Sequence, residues 1–159
     1  MSKLKVGIAG YGIVGKRRHL FINDHKSLKV TAVCEQNFSK GYNELTDVLC
    51  FNNYKDLLDQ DLDILFVCLT NNVAAEVTIA GLEKGLHVFC EKPPGMNVDE
   101  IIKVIEVEKK HPKLKLKYGF NHRYHDSIRE ALRIIQSGDL GEIINVRGIY
   151  GKSRVIPFS

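Results

Sequence analysis

Short apolar runs alternate with helix-length amphipathic segments along the chain. The runs are rich in Val, Ile, Leu and Phe and show little polar alternation, which is typical of strands that helices cover on both faces. Strands joined by helices form βαβ units, so the pattern predicts an α/β fold built on a doubly wound parallel sheet. The predicted strands are residues 4–9, 28–34, 64–69, 87–90 and 114–120.

Two of the predicted helices have readable ends. Residues 73–84 carry adjoining apolar stripes and precede Gly85, a residue suited to the position just after a helix. Residues 98–110 follow Asn97, which has the spacing of a capping box with Glu100. Both segments are therefore predicted as helices that cover the sheet.

The last third of the chain changes character. A predicted helix over residues 127–137 is followed by a predicted strand over residues 142–150 with apolar residues on both faces. The residues after it cannot supply a partner sheet, so we expect this strand to pair with a second copy and form a homodimer. The alternative is a monomer in which the segment folds back onto the nucleotide domain. The predicted domains are residues 1–121 and, as an incomplete α+β second domain, residues 122–159.

A glycine-rich loop joins the first predicted strand to a predicted helix. Its residues are Gly10, Tyr11, Gly12, Ile13, Val14 and Gly15. In this GxGxxG pattern the first glycine permits a tight turn, the second lets the backbone approach a pyrophosphate, and the third lets the helix pack on the strand. Glu35 ends the second predicted strand, where a carboxylate can bind the adenosine ribose. These features predict a Rossmann-type dinucleotide site, with S-adenosylmethionine as the alternative ligand of such a turn.

The choice of dinucleotide depends on charge. The carboxylate of Glu35 favours NAD because it would repel the 2′-phosphate of NADP. NADP stays possible, since Arg17, Arg18 or Lys40 could turn toward the same pocket. The net charge of +4 arises from 23 basic and 19 acidic residues spread along the chain. Such a dilute charge gives no indication of a nucleic-acid surface, and a mildly positive field favours small anionic ligands.

A second motif, Glu91-Lys92-Pro93-Pro94-Gly95, directly follows a predicted strand. It therefore lies at the carboxyl edge of the sheet, where open α/β folds bind ligands. The consecutive prolines restrict the backbone and would hold Lys92 in one place. The alternative interpretation is a solvated Glu-Lys pair in a turn closed by proline.

These motifs resemble a known family. The glycine loop, Glu91-Lys92-Pro93 and YGFNHRYH at residues 118–125 are similar in order and spacing to signatures of the Gfo/Idh/MocA oxidoreductases. The segment LGEIINVRGIYGKS resembles the first strand of that family's second domain. The resemblance implies a nicotinamide-dependent enzyme that transfers a hydride to or from a sugar, polyol or nucleotide-sugar. It also implies that Asp and His residues of the acid/base site lie beyond this chain, which would bind cofactor without turnover.

The resemblance implies roles for single residues. Lys92 would be the catalytic residue, close to both the nicotinamide and the reacting hydroxyl of the substrate, and Glu91 would belong to the cofactor pocket. The other residues implied are Thr70, Asn72 and Asn121 for the cofactor, and Arg123 and Tyr124 for the substrate. Two positions depart from the family pattern, because Asn71 replaces its usual proline and Ala75 its usual histidine.

Other residue types narrow the prediction. The cysteines lie far apart without a CxxC pair, which predicts buried free thiols in a reducing compartment. His122 and His125 lie three residues apart, but no acid or cysteine completes a metal set, so we expect no metal site. No stretch approaches the roughly 18 apolar residues of a membrane span. We therefore expect a cytoplasmic protein with no membrane or nucleic-acid partner.

Two other functions remain to be separated from the oxidoreductase. A non-catalytic NAD(P)-binding module would need the glycine loop and Glu35 but not Lys92. A methyltransferase is disfavoured, because it gives no reason for Glu91-Lys92-Pro93.

Overall fold

Six parallel strands form one sheet in the order β3-β2-β1-β4-β5-β6 in the computed structural model, which describes residues 2–38, 45–149 and 151. The strands are β1 (Leu4–Ala9), β2 (Leu28–Cys34), β3 (Leu49–Phe51), β4 (Ile64–Val67), β5 (His87–Cys90) and β6 (Leu116–Tyr118). The helices that accompany the sheet are α1 (Ile13–Asp24), α2 (Tyr54–Leu58), α3 (Asn71–Glu83) and α4 (Val98–Lys110). The predicted α/β fold with a doubly wound parallel sheet is confirmed.

The order in which successive strands are added to the sheet reverses at β1, which pairs with β2 on one side and β4 on the other. Val6 lies opposite Val30 on one side and opposite Ile64 on the other. Ligands of open α/β sheets bind at the carboxyl ends of the strands beside such a switch point. The glycine loop follows β1 directly, so the fold brings it to this position.

Helices pack on both faces of the sheet. On one face Ile22 of α1 packs with Val6 and Val30, which are fully buried. On the other face, Val77 of α3 and Val104 of α4 are fully buried in a second cluster. The apolar stripes predicted from helical spacing therefore correspond to the two core layers.

The helix ends follow the sequence signals. Asn97 caps α4 by accepting a hydrogen bond from the Glu100 N–H at 3.0 Å. Glu100 in turn accepts from the Met96 N–H at 2.9 Å, one residue before the cap. Gly85 follows α3 with a φ of 82°, a left-handed conformation that suits glycine.

Two short elements, β3 and α2, escape prediction from the sequence. Strand β3 has three residues and α2 has five, too few for a hydrophobic period to become visible. The start of α2 does carry a local signal, since Asn53 accepts a hydrogen bond from the Asp56 N–H at 2.9 Å. The strands β4 and β6 are also shorter than predicted.

The chain divides into two units, Met1–Phe120 and Asn121–Ser159. The second contains a 3₁₀ helix (Asn121–Tyr124) and α5 (Asp126–Ser137). Gly138 caps the end of α5 with a φ of 80°. The apolar face of α5 is partly exposed, as Leu132 at 49% illustrates.

The strand predicted over residues 142–150 is not found. Residues 142–149 form no strand in the described structure, and Tyr150 lies outside the described residues. A strand needs a hydrogen-bonded neighbour, and an apolar pattern alone does not supply one. Ile144, for example, is 94% exposed.

No helix among the described residues is long and apolar enough to cross a membrane.

Candidate functional site

Two glycines shape the turn from β1 into α1. Gly10 has a φ of 91°, and a Cβ there would lie 2.5 Å from the carbonyl oxygen of Cys68. A Cβ at Gly15 would collide with the Gly10 carbonyl oxygen. Gly10 is thus required by its conformation and by close packing, and Gly15 by the contact of α1 with the loop.

Gly12 differs from both, because a Cβ at this position would meet no protein atom within 4 Å. It stands at the cap of α1 with extended backbone angles that other residues also adopt. The next residue, Ile13, is 72% exposed. The first-turn N–H groups of a helix attract anions, so the open surface at Gly12 fits the close approach of a pyrophosphate.

The side chain of Tyr11 is buried beneath this loop. Only 6% of Tyr11 is exposed, and its ring lies 6.0 Å from that of Phe38. A ligand at the loop therefore meets little more than the backbone of Tyr11. That backbone is also engaged, since the Tyr11 N–H donates to Glu35 Oε2 at 3.0 Å.

The Glu35 carboxylate is held at the end of β2 beside the glycine loop. The Glu35 N–H donates to the carbonyl oxygen of Phe51 at 3.0 Å, which fixes its backbone to the neighbouring strand. The side chain is partly exposed and retains acceptor capacity beyond its bond to Tyr11. Its position at the end of β2 and beside the loop is compatible with the predicted contact with a ribose.

A hydrogen-bonded chain under the loop was missed by the sequence reasoning. Tyr11 Oη lies 2.7 Å from Nδ1 of His19, and Nε2 of His19 lies 2.9 Å from Nδ2 of Asn23. Asn23 Oδ1 accepts the Val30 N–H at 2.9 Å, so the amide nitrogen is the group that faces His19. An amide nitrogen only donates, so Nε2 of His19 accepts and Nδ1 carries the proton. Burial lowers the pKa of His19.

Arg18 contacts Glu91 across the face of the sheet. Its Nε donates to Glu91 Oε1 at 2.7 Å, and Nη2 donates to the same oxygen. Its guanidinium carbon lies 5.0 Å from the centre of the Phe89 ring. The suggestion that Arg18 could turn toward a 2′-phosphate is therefore not supported. Helical spacing indicates only one side of this contact, because Arg18 lies four residues before the buried Ile22 on α1 and therefore on the same face, while its partner Glu91 has no local signal.

Lys92 follows Glu91 and is exposed, with a cis peptide bond to Pro93. After the adjacent strand β4, Thr70 Oγ1 donates to Asn72 Oδ1 at 2.6 Å at the start of α3. Strands β4 and β5 are neighbours in the sheet, so the segments that follow them meet at its carboxyl edge. The structure thus brings together the candidate residues of the first unit along one edge.

Ala75, which stands where the family pattern has histidine, is closely packed against the segment after Lys92. Ala75 is 4% exposed in α3, and a Cβ at Gly95 would lie 3.5 Å from the Ala75 Cβ. A small residue in α3 therefore permits the close approach of the segment after Lys92. A larger side chain at this position would require the segment to move.

Asn121, Arg123 and Tyr124 belong to the second unit. They lie in the 3₁₀ helix and are all exposed. Two neighbouring histidines, His122 and His125, stack with their ring centres 4.7 Å apart. Cofactor and substrate contacts of these residues remain predictions.

Comparison with known proteins identifies the first unit. Residues 4–120 match the Gfo/Idh/MocA family model, described as "Oxidoreductase family, NAD-binding Rossmann fold". Inositol 2-dehydrogenase of Salmonella typhimurium is 31% identical over 161 aligned positions, which cover 97% of this chain and 48% of that protein.

Solved structures give the same result. The structure of myo-inositol 2-dehydrogenase from Lactobacillus plantarum has a TM-score of 0.77 and 36% identity, covering 90% of this chain and 44% of that one. Scyllo-inositol dehydrogenase from Lactobacillus casei, with bound NAD(H) and scyllo-inositol, has a TM-score of 0.78 and 27% identity, covering 89% of this chain and 43% of that one. The chain thus spans about half the length of the curated relatives it matches.

Proposed function

The chain belongs to the Gfo/Idh/MocA oxidoreductase family, and on this premise we propose that the whole protein is an NAD-dependent dehydrogenase of a cyclic polyol or sugar. The observation that carries the proposal is the glycine loop, where the open surface at Gly12 and the first turn of α1 lie beside Glu35. The inositol dehydrogenases described above support the substrate class. This class is coarser than a named substrate, because specificity depends on residues outside the first unit.

In this proposal the glycine loop, from Gly10 to Gly15, forms the pyrophosphate site of NAD. The N–H groups from Gly12 onward, at the start of α1, would bind the phosphates, because the Gly10 and Tyr11 N–H groups already donate to the Cys34 carbonyl oxygen and to Glu35. Glu35 accepts hydrogen bonds from the adenosine ribose and excludes NADP by charge repulsion. Of the three cations that could have reversed that preference, Arg18 is occupied by Glu91. This leaves Arg17 exposed, while Lys40 lies outside the described residues.

The nicotinamide end of the cofactor would lie at the edge formed by the segments after β4 and β5. Thr70, Asn72 and Glu91 would contact the cofactor there. NAD supplies the hydride acceptor when it is bound. The exposed Lys92 ammonium would donate a hydrogen bond to the reacting hydroxyl and offset the negative charge that develops on its oxygen.

The second unit would begin the substrate domain. We propose that Asn121 contributes to the cofactor site and that Arg123 and Tyr124 contribute to the substrate site. We also propose a homodimer in which residues 142–150 of two copies pair, since pairing would supply the neighbour that this segment needs. A cytoplasmic location is consistent with four free cysteines, none of which forms a disulfide.

Calorimetric titration of the chain with NAD, NADH, NADP and S-adenosylmethionine tests the proposal. We expect binding of NAD and NADH, weaker binding of NADP and none of S-adenosylmethionine. Gly12→Val should abolish NAD binding, because its side chain would enter the space that the pyrophosphate needs. It should cost only about 1 kcal/mol of stability, the scale of a lost helix cap, since no protein atom lies near.

Gly15→Ala is the matched control. Its Cβ would strike the Gly10 carbonyl oxygen, so it should lower the melting temperature as well as binding. Normal NAD binding by folded Gly12→Val would contradict the assignment of the loop as the phosphate site.

A further inference from the structure

A covered ion pair joins α1 to the segment that carries the proposed catalytic lysine. Arg18 donates two hydrogen bonds to one oxygen of Glu91. Only 25% of the Arg18 side chain and 12% of the Glu91 side chain are exposed. Water screens such a pair less than it screens surface charges, so each charge depends strongly on its partner.

Further contacts hold the pair in place. The Arg18 guanidinium lies against the Phe89 ring in cation–π geometry, and Phe89 stacks on Phe66 with ring centres 4.9 Å apart. The second oxygen of Glu91 lies beside Gly119, where a Cβ would approach it to 2.6 Å. Glu91 is thus held from two sides, and any side chain larger than glycine at position 119 would disturb it.

The position of Arg18 on α1 connects two parts of the proposed site. Helix α1 begins at Ile13 in the glycine loop, and Arg18 lies in its second turn. The helix that would receive the pyrophosphate at its start therefore also supplies the charge that neutralises Glu91. The next residue after Glu91 is Lys92.

We propose that Arg18 is a positioning residue that neutralises Glu91 and so sets the balance between oxidised and reduced cofactor at the site. This inference rests on the proposed function, in which Glu91 lies at the nicotinamide end. The nicotinamide ring is positively charged in NAD⁺ and neutral in NADH. An unpaired Glu91 would favour NAD⁺ and an unpaired Arg18 would favour NADH, whereas the intact pair favours neither.

The test compares the affinities of NAD⁺ and NADH for the full 159-residue chain carrying Arg18→Met, Glu91→Gln or both substitutions. Arg18→Met should shift the ratio of the two affinities about fivefold toward NAD⁺, and Glu91→Gln about fivefold toward NADH. The double variant should return close to the wild-type ratio. A fivefold shift corresponds to about 20 mV in the midpoint potential of the bound cofactor, since tenfold is about 30 mV for two electrons.

Control variants separate charge from structure. Arg18→Lys loses the planar contact with Phe89 but keeps the positive charge beside Glu91, so the ratio should stay within about twofold of wild type. Arg17→Met removes an exposed neighbouring charge and should leave the ratio unchanged. If Arg18→Met does not fold, Arg18→Gln replaces it, and the single variants Arg18→Gln and Glu91→Gln are compared in the same way.

Different results overturn different claims. Equal losses of NAD⁺ and NADH affinity in both single variants would mean that the pair only supports the fold, and they would overturn the inference alone. So would shifts of the same sign in Arg18→Met and Glu91→Gln. A wild-type chain that binds neither NAD⁺ nor NADH would overturn the proposed function, and this inference with it.

Discussion

At the scale of single residues, the proposed function makes Glu35 the link between the structure of the loop and the choice of cofactor. Glu35→Ala should weaken NAD binding by about five- to thirtyfold, because the ribose loses an acceptor and the Tyr11 N–H loses its partner. Glu35→Gln keeps an acceptor for Tyr11 but removes the charge, so it should mainly relax discrimination against NADP. The measurement is the ratio of the NAD and NADP dissociation constants. Wild-type chain that binds NADP as tightly as NAD would contradict this role.

His19 should make stability depend on pH. Burial lowers its pKa in the folded protein from the ordinary value of 6.5, so the unfolded chain takes up a proton first as the pH falls. Its contribution is present above pH 6.5 and is lost as the pH falls through the folded-state pKa. Protonation would also place an N–H of His19 against the Asn23 amide N–H group.

The expected result is a lower free energy of unfolding at pH 5 than at pH 8, with a smaller decrease in His19→Gln. His111→Gln, which changes a histidine outside this hydrogen-bonded chain, should retain the wild-type decrease. Denaturant unfolding at several pH values measures both. An unchanged pH dependence in His19→Gln would contradict the argument.

The sequence predicted residues with strong local patterns and missed those defined by distant contacts. Gly10 and Gly15 follow from a short motif, and Gly12 is where the motif leaves open surface. The partner of Arg18 does not follow from the sequence, because Glu91 is 73 residues away and meets it only when α1 packs on the sheet. His19 was missed for another reason: its partners Tyr11 and Asn23 are only eight and four residues away, but the contact with Tyr11 forms only when the loop folds over α1.

At the scale of elements, the contact of α3 with the sheet depends on Gly81. A Cβ there would lie 2.7 Å from Leu65 Cδ2 and 3.1 Å from Val88 Cγ2. Alanine is the better helix former by about 1 kcal/mol, yet Gly81→Ala should destabilise the protein by about 1–3 kcal/mol because the core is overpacked. Glu83→Ala, at an exposed position of the same helix, should change stability by less than about 0.5 kcal/mol. Chemical denaturation distinguishes these outcomes. A Gly81→Ala variant that is more stable than wild type would contradict the prediction, because it would mean that Leu65 and Val88 move aside at little cost.

Elements were easier to predict when they were long and when their hydrogen bonds form within their own segment. Helix α4 was predicted with its observed ends, because a capping box and an apolar face lie within its own sequence. Strand β3 was too short to recognise. The strand expected over residues 142–150 had a suitable pattern, but a strand also requires a neighbour, which a local pattern cannot specify.

At the scale of the whole molecule, the chain should bind NAD without oxidising polyols. In the proposed function Lys92 would orient the hydroxyl, but a second acid/base group and a wall that excludes water are expected from the remaining half of the relatives' length. Each acid/base group contributes about 10²- to 10⁴-fold to the rate. NADH formation from myo-inositol, followed by absorbance, should be undetectable for this chain and measurable for a full-length relative. Robust turnover by the 159-residue chain would contradict this expectation.

The cysteines near the glycine loop have a consequence for following this protein in solution. Burial raises the pKa of Cys34 to about 11 and that of Cys68 to about 12, so few of these thiols are ionised at neutral pH. Because alkylation requires an accessible thiolate, iodoacetamide should modify the buried Cys34 only when the surrounding strands separate, and the partly exposed Cys68 slowly even without that opening. The rate of Cys34 modification, followed by mass spectrometry, therefore measures opening of the sheet beside the loop. NAD should lower this rate, whereas the partly exposed Cys50 on β3 should react at a rate that NAD changes little.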